Sequence, residues 1–150
     1  MELKKAQYED IAEILKMTPE FIEASEDYRG MIYSPTDFAE YLACVILDDN
    51  YFLFIARVNG ELAGGFLALI DETFFGKNII AREKFFYVAP KFRSFRLARR
   101  MILCYVKWAS SRRAIRVFIS SNAGFKPEKA LKLYERMGFS FSGITACKRC

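Results

Sequence analysis

The sequence predicts a single α/β (α+β) domain, and three features carry that prediction. Three long β-rich runs, residues 51–58, 61–74 and 79–88, follow one another with tight-turn signals between them, the pattern of an antiparallel meander. Segments with apolar residues at helical spacing precede and follow that meander. The chain has 150 residues, 53% of them apolar, which suits one domain with a core of its own.

In chain order, residues 2–6 read as a short first strand. Residues 8–17 read as a helix, with Ile11, Ile14 and Leu15 at i, i+3 and i+4. Thr18-Pro19-Glu20 looks like the start of a second short helix, Thr18 as N-cap and Pro19 in the first helical position, ending near Gly30. Ser34-Pro35-Thr36-Asp37 repeats the signal and opens a helix through Phe38, Leu42, Val45 and Ile46 to about Asp48. Asn59-Gly60 then joins the first two β runs as a two-residue hairpin. Gly64-Gly65 marks a bulge or bend in the second run. A turn at Gly76-Lys77-Asn78 leads into the third.

Leu97, Met101, Tyr105 and Trp108, with Ala98, Ile102, Val106 and Ala109 beside them, make a wide apolar helix face. Residues 114–120 read as a strand. Residues 127–137 read as a helix with Pro127 at its start and Gly138 just past its end. Residues 139–148 supply one or two terminal strands around Gly143. No repeat, low-complexity tract or linker interrupts the chain, so residues 1–150 are expected to form one domain.

Composition excludes several function classes. The chain contains no histidine, so no His-based triad or His general base is available. Cys147 and Cys150 form a lone C-x-x-C without further metal ligands, and no metal is expected. Cys44 and Cys104 fall in helical segments among apolar residues and read as small hydrophobes. No apolar run approaches the ~20 residues of a membrane span. The first seventeen residues mix acids and bases without a signal-peptide core, so the expected location is cytoplasmic and no membrane partner is expected.

Charge is unevenly distributed. Residues 1–50 carry twelve acids and four bases, whereas residues 84–127 carry eleven bases and no acid. The bases crowd where a strand gives way to a helix, at Lys91, Arg93, Arg96, Arg99 and Arg100. A helix N-terminus offers unpaired N–H groups and a partial positive charge, so this corner suits an anion. An exposed basic helix face is the alternative reading. Nucleic acid is an unlikely partner, since no nucleic-acid motif accompanies the charge.

Two local patterns extend the reading. Val88-Ala89-Pro90, with Arg93, Arg96 and Ala98 after it, resembles the V-x-P-x-x-[QR]-x-x-G-x-[GA] signature of the GNAT superfamily of acetyl-CoA-dependent N-acetyltransferases. Leu133-Tyr134-Glu135-Arg136-Met137-Gly138-Phe139 resembles that family's "LYE..GF" motif, most like small bacterial and phage members. The element order, β-α-α-β-β-β-α-β-α-β(-β), fits across nearly the whole chain. The resemblance implies a mixed, mostly antiparallel sheet of six or seven strands flanked by about four helices. Arg96 stands where the family usually has glycine, a departure that bears on how closely the backbone approaches a phosphate.

The resemblance also implies roles. Acetyl-CoA would be the cosubstrate, its pyrophosphate wrapped by the loop and helix start at Arg93, Ser94, Phe95, Arg96, Leu97, Ala98 and Arg99. Its pantetheine arm would pair with the backbone of Phe86, Tyr87 and Val88, the Val88 N–H donating to the developing oxyanion. An amine would attack the thioester directly, without an enzyme nucleophile. Tyr134 is the candidate acid for the leaving thiolate, its alternative reading being a core tyrosine. Glu83 is the candidate base, its alternative a pairing with Arg82, with Glu72 and Asp71 weaker candidates. The acidic first third implies a cationic acceptor, small molecule or protein, met by Glu26, Tyr28 and Tyr33. A solvated acidic surface is the alternative there. A catalytically degenerate module that binds CoA or a protein is the alternative to the enzyme as a whole. Homodimers are common in the family.

Overall fold

Side-chain alternation in the second strand sets the architecture of the computed structural model, which describes residues 1–120, 127–143 and 148. In β2 (Tyr51–Val58), Phe52 and Ala56 join one buried cluster, while Leu53 and Ile55 join another on the opposite face. The sheet is therefore covered on both sides. Among the described residues it has five strands in the order β1 (Glu2–Lys5), β2, β3 (Glu61–Glu72), β4 (Ile79–Val88) and β5 (Arg116–Phe118). All neighbours are antiparallel except β4 and β5, which run parallel.

α1 (Ile11–Ala24) and α2 (Pro35–Leu47) cover one face, with Ile14, Leu42, Val45 and Ile46 packed on Leu53, Ile55 and Leu67. α3 (Phe95–Ser111) and α4 (Pro127–Arg136) cover the other, where Leu97, Met101, Ile102, Tyr105 and Leu133 meet Phe52 and Phe66. Ser34 caps α2 by accepting from the Asp37 N–H at 3.3 Å. Asn59 and Gly60 have φ of 53° and 82°, as a two-residue hairpin turn of this hand requires.

Two bulges shape the sheet beside the site. Ala56 faces Gly64 and Arg57 faces Leu62, so Ala63 is an extra residue, directly before the Gly64-Gly65 pair. A Cβ at Gly64 would drive into the Tyr87 carbonyl, so only glycine lets β3 lie this close to β4 there. In β4, Leu67 faces Phe85 and Ala68 faces Glu83, which leaves Lys84 as the extra residue.

The expected pair of helices over residues 8–30 is one helix. Pro19 lies inside α1, and Thr18 is no N-cap: its Oγ1 donates back to the Ile14 carbonyl at 2.8 Å. Proline deprives the Leu15 carbonyl of its helical donor. The Tyr33 hydroxyl replaces that donor at 3.3 Å, which lets the helix continue. Cys44 is exposed on α2 rather than packed as a small hydrophobe, and Cys104 is half-buried. The expected terminal strands do not begin in residues 139–143, which are irregular, and residues 144–147 lie outside the described residues, as do Cys147 and Cys150.

One ionic cluster, centred on the buried Asp10, ties β1 and α1 to β2. Arg57 donates to both carboxylate oxygens of Glu13, at 3.0 and 2.9 Å, and to Asp10 at 2.9 Å. Lys4 lies 2.9 Å from the other Asp10 oxygen. Burial alone would raise the Asp10 pKa, but the hydrogen bonds from Arg57, Gln7 and Lys4 outweigh it and hold the carboxyl below its ordinary range.

Candidate active site

Among the described residues β5 pairs with β4 only from Ile80 to Arg82, which leaves the outer edge of β4 open from Glu83 to Val88. The backbone groups there are aimed by the ladder. The Ala89 N–H donates to the Ala63 carbonyl at 2.9 Å, toward β3. Alternation along an antiparallel pair then turns the N–H and C=O of Val88 and Phe86 away from β3. The Val88 carbonyl bears this out, since Arg93 Nε donates to it at 2.9 Å from the far side.

The opening is a cleft of about 820 Å³, within the range of small-ligand sites. Phe86, Tyr87 and Val88 wall it on one side, Ala130, Leu133 and Tyr134 of α4 on the other. Arg93, Ser94, Phe95 and Ala98 close one end, at the start of α3. Ser94 caps that helix, its Oγ accepting from the Leu97 N–H at 3.2 Å. The Phe95 and Arg96 N–H groups belong to the first turn, which has no intrahelical acceptor for them. Together with Arg93, this end is suited to an anion.

Arg96 is the second residue of α3, and among the described residues only Asn59 and Arg113 are non-glycines with positive φ. The glycine usual in the family signature is therefore not required by backbone conformation here. Arg96 and Arg99 are exposed and do not line the cleft, and Leu97 is buried in the core. Three bases that sequence reasoning did not select do line it: Lys129, Lys132 and Arg136 of α4. Their i, i+3, i+7 spacing places them on one helix face, a signal that was available.

At the other end a short relay joins Glu83 to Tyr134. The Tyr134 hydroxyl donates to the Ser120 carbonyl at 2.9 Å. The Ser120 N–H donates to Glu83 Oε2 at 3.1 Å, and the Ser120 hydroxyl donates to the same oxygen. Arg82 does not pair with Glu83; it lies 3.7 Å from Asp71. Glu83 is open to the cleft on one side, yet enough protein surrounds it that burial raises its pKa. The Ser120 hydrogen bonds oppose that rise and the Asp27 charge adds to it. Burial, and then the charge of Glu83, raise the Tyr134 pKa, so its hydroxyl keeps its proton at neutral pH.

Ser120 was also missed, because its contribution is partly backbone. The bulge at Lys84 breaks the alternation of β4, and Glu83, Lys84 and Phe85 all reach the cleft. Of the expected acceptor residues, Tyr28 lines the cleft. Tyr33 lies in an adjoining groove, and Glu26 lines neither. Glu72 is exposed at the far end of β3 and lines neither. Ser25 and Tyr87 border the cleft, but their hydroxyl oxygens are buried, with no hydrogen-bond partner among the described residues. Burial and the nearby Glu20 carboxylate push the Tyr87 pKa up to about 12, yet that carboxylate does not meet the hydroxyl at hydrogen-bond geometry.

Residues 11–139 match the model of the acetyltransferase (GNAT) family. The chain belongs to that family. No curated protein matches it by sequence. Solved GNAT structures share its fold. Ribosomal-protein-alanine N-acetyltransferase from Brucella melitensis biovar Abortus 2308 is 19% identical, with a TM-score of 0.71 and 100% of both chains covered. An aminoglycoside acetyltransferase from an uncultured soil metagenomic sample is 13% identical, with a TM-score of 0.75 over 99% of this chain and 95% of that one. Glucosamine-6-phosphate N-acetyltransferase from Arabidopsis thaliana is 14% identical, with a TM-score of 0.75 over 99% and 97%. These GNAT relatives are named for a protein, an antibiotic and a sugar, so the shared fold does not choose the acceptor. Among the described residues, no helix is long and apolar enough to cross a membrane. No group of three or more His, Cys, Asp or Glu among them is placed to hold a metal.

Proposed function

We propose that this GNAT protein transfers the acetyl group of acetyl-CoA to an amine by direct attack in a ternary complex. The observation that supports it best is one continuous cleft. It begins at an anion-suited helix end, runs along the open edge of β4 and finishes at the Glu83–Ser120–Tyr134 relay. Arg93 and the first turn of α3 hold the pyrophosphate, with Lys129, Lys132 and Arg136 facing it across the cleft. The Phe86–Val88 edge pairs with the pantetheine arm as a further strand would.

The amine nitrogen attacks the thioester carbonyl carbon, and the C–S bond breaks. The Val88 N–H, turned toward the gap, stabilises the negative charge that develops on the carbonyl oxygen. Glu83 receives the proton lost by the amine; both Ser120 bonds fall on Oε2, and Oε1 carries neither. Tyr134 gives its proton to the departing thiolate by swinging its O–H bond away from the Ser120 carbonyl.

The test is thermal. Acetyl-CoA at a hundred times its dissociation constant stabilises the fold by about 2.7 kcal/mol. For a domain of this size that raises Tm by roughly 5–10 °C. The same concentration of an oligonucleotide should raise it little. No shift with acetyl-CoA, or a larger one with oligonucleotide, would overturn the proposal.

A further inference from the structure

Beside the cleft, α1, α2 and the segment between them leave a second groove of about 510 Å³ against β4. It shares Phe21, Tyr28, Lys84 and Phe85 with the cleft, so the two adjoin. Its lining is apolar and aromatic, with Met17, Ile22, Met31, Ile32, Phe38 and Tyr41 prominent. Three of its seven polar side chains are engaged with their own backbone surroundings. Thr18 donates to the Ile14 carbonyl, Tyr33 donates to the Leu15 carbonyl, and Ser34 accepts from the Asp37 N–H.

Polarity is concentrated instead where the groove meets the cleft. There Asp27 and Glu83 set two carboxylates against the single cation Lys84, and their charge, after burial, raises the pKa of the Tyr28 hydroxyl. The acids of the rim do not extend this character along the groove. Glu23 pairs with Arg29 at 3.6 Å, and Asp37 is the single carboxylate in the lining.

A site with one anionic, hydrogen-bonding end and an apolar aromatic body complements an amine built the same way. We infer that the acceptor is a small primary amine carrying its charge at one end on an apolar or aromatic body, an alkylamine or arylalkylamine. It is not a polyamine or lysine-rich peptide. This rests on the acetyl-transfer reading. The ammonium sits against Asp27 and Glu83, and the body lies between Phe38, Tyr41 and Phe85.

Hexylamine and 1,6-diaminohexane separate the two chemistries, since they share a length and differ in one distal ammonium. With acetyl-CoA saturating, kcat/KM should climb about fourfold per methylene from propylamine to hexylamine. Hexylamine and 2-phenylethylamine should both exceed diaminohexane. Tyr41→Ala, at the exposed mouth, should lower kcat/KM for hexylamine about fivefold and leave acetyl-CoA affinity unchanged. Acetyl-CoA affinity, measured separately by calorimetry, keeps the two readings apart. If acetyl-CoA binds but diaminohexane or a lysine peptide is the better acceptor, or no alkylamine or arylalkylamine is acetylated, the inference is overturned and cofactor binding stands. If acetyl-CoA does not bind, the acetyl-transfer reading falls and the inference with it.

Discussion

Tyr134→Phe separates a catalytic hydroxyl from a core ring. The ring is 8% exposed and packs in the same cluster as Leu133 and Tyr105, and phenylalanine keeps all of that contact. The variant loses one hydrogen bond, the 2.9 Å donation to the Ser120 carbonyl. Ser120 is exposed, so water can replace the donor and the loss in stability should be about 0.5–1.5 kcal/mol. That corresponds to a fall in Tm of roughly 1–6 °C. Turnover should fall much further, by ~10²–10⁴, because the thiolate loses its proton donor. The assay is release of free CoA thiol with saturating acetyl-CoA, after single-turnover kinetics establish that chemistry limits the rate. Acetyl-CoA affinity should not change. A rate within threefold of wild type, with the expected small fall in Tm, would leave Tyr134 a structural residue and refute the relay as an acid.

Three further outcomes follow from named contacts. Arg93→Ala should weaken acetyl-CoA about tenfold or more by calorimetry, since a charge-assisted bond is worth roughly 1.5–3 kcal/mol; unchanged affinity would remove Arg93 from the anion site. Glu83→Gln should lose an acid limb in kcat/KM. Burial raises the Glu83 pKa above its ordinary 4.5, so its base form is depleted as pH falls through that raised value, and the wild-type profile should steepen there while the variant's does not. Asp10→Asn should cost roughly 1.5–3 kcal/mol at neutral pH by urea unfolding, the range for hydrogen bonds to a charged group, since Arg57 keeps Glu13. The Asp10 pKa is depressed in the fold, so its stabilisation is present above the ordinary 3.8 and is lost as pH falls through the lower folded value; the gap between variant and wild type should close over that window.

Features whose physics is local were legible in the sequence. Asn59-Gly60 could be read because the turn needs two positive φ values, and Ser34-Pro35 because cap and first turn lie within four residues. Thr18-Pro19 misled because the group that lets α1 continue through proline is the Tyr33 hydroxyl, fourteen residues beyond Pro19. Local pattern carries no trace of it. The bulge at Lys84 leaves no compositional mark, so the joint approach of Glu83, Lys84 and Phe85 to the cleft was not readable. Ser120 escaped because its backbone does half the work. The acidic first third was legible as charge, but not that its groove is lined by aromatic rings rather than carboxylates, which depends on how α1 and α2 turn their faces.

The measurement that bears most directly on the central claim is a crystal structure of the protein with acetyl-CoA. The account predicts the pyrophosphate at the first turn of α3 beside Arg93, the pantetheine arm along Phe86 to Val88, and the thioester sulfur within hydrogen-bond reach of the Tyr134 hydroxyl. Acetyl-CoA bound with its phosphates away from α3, or with its sulfur out of reach of Tyr134, would contradict it.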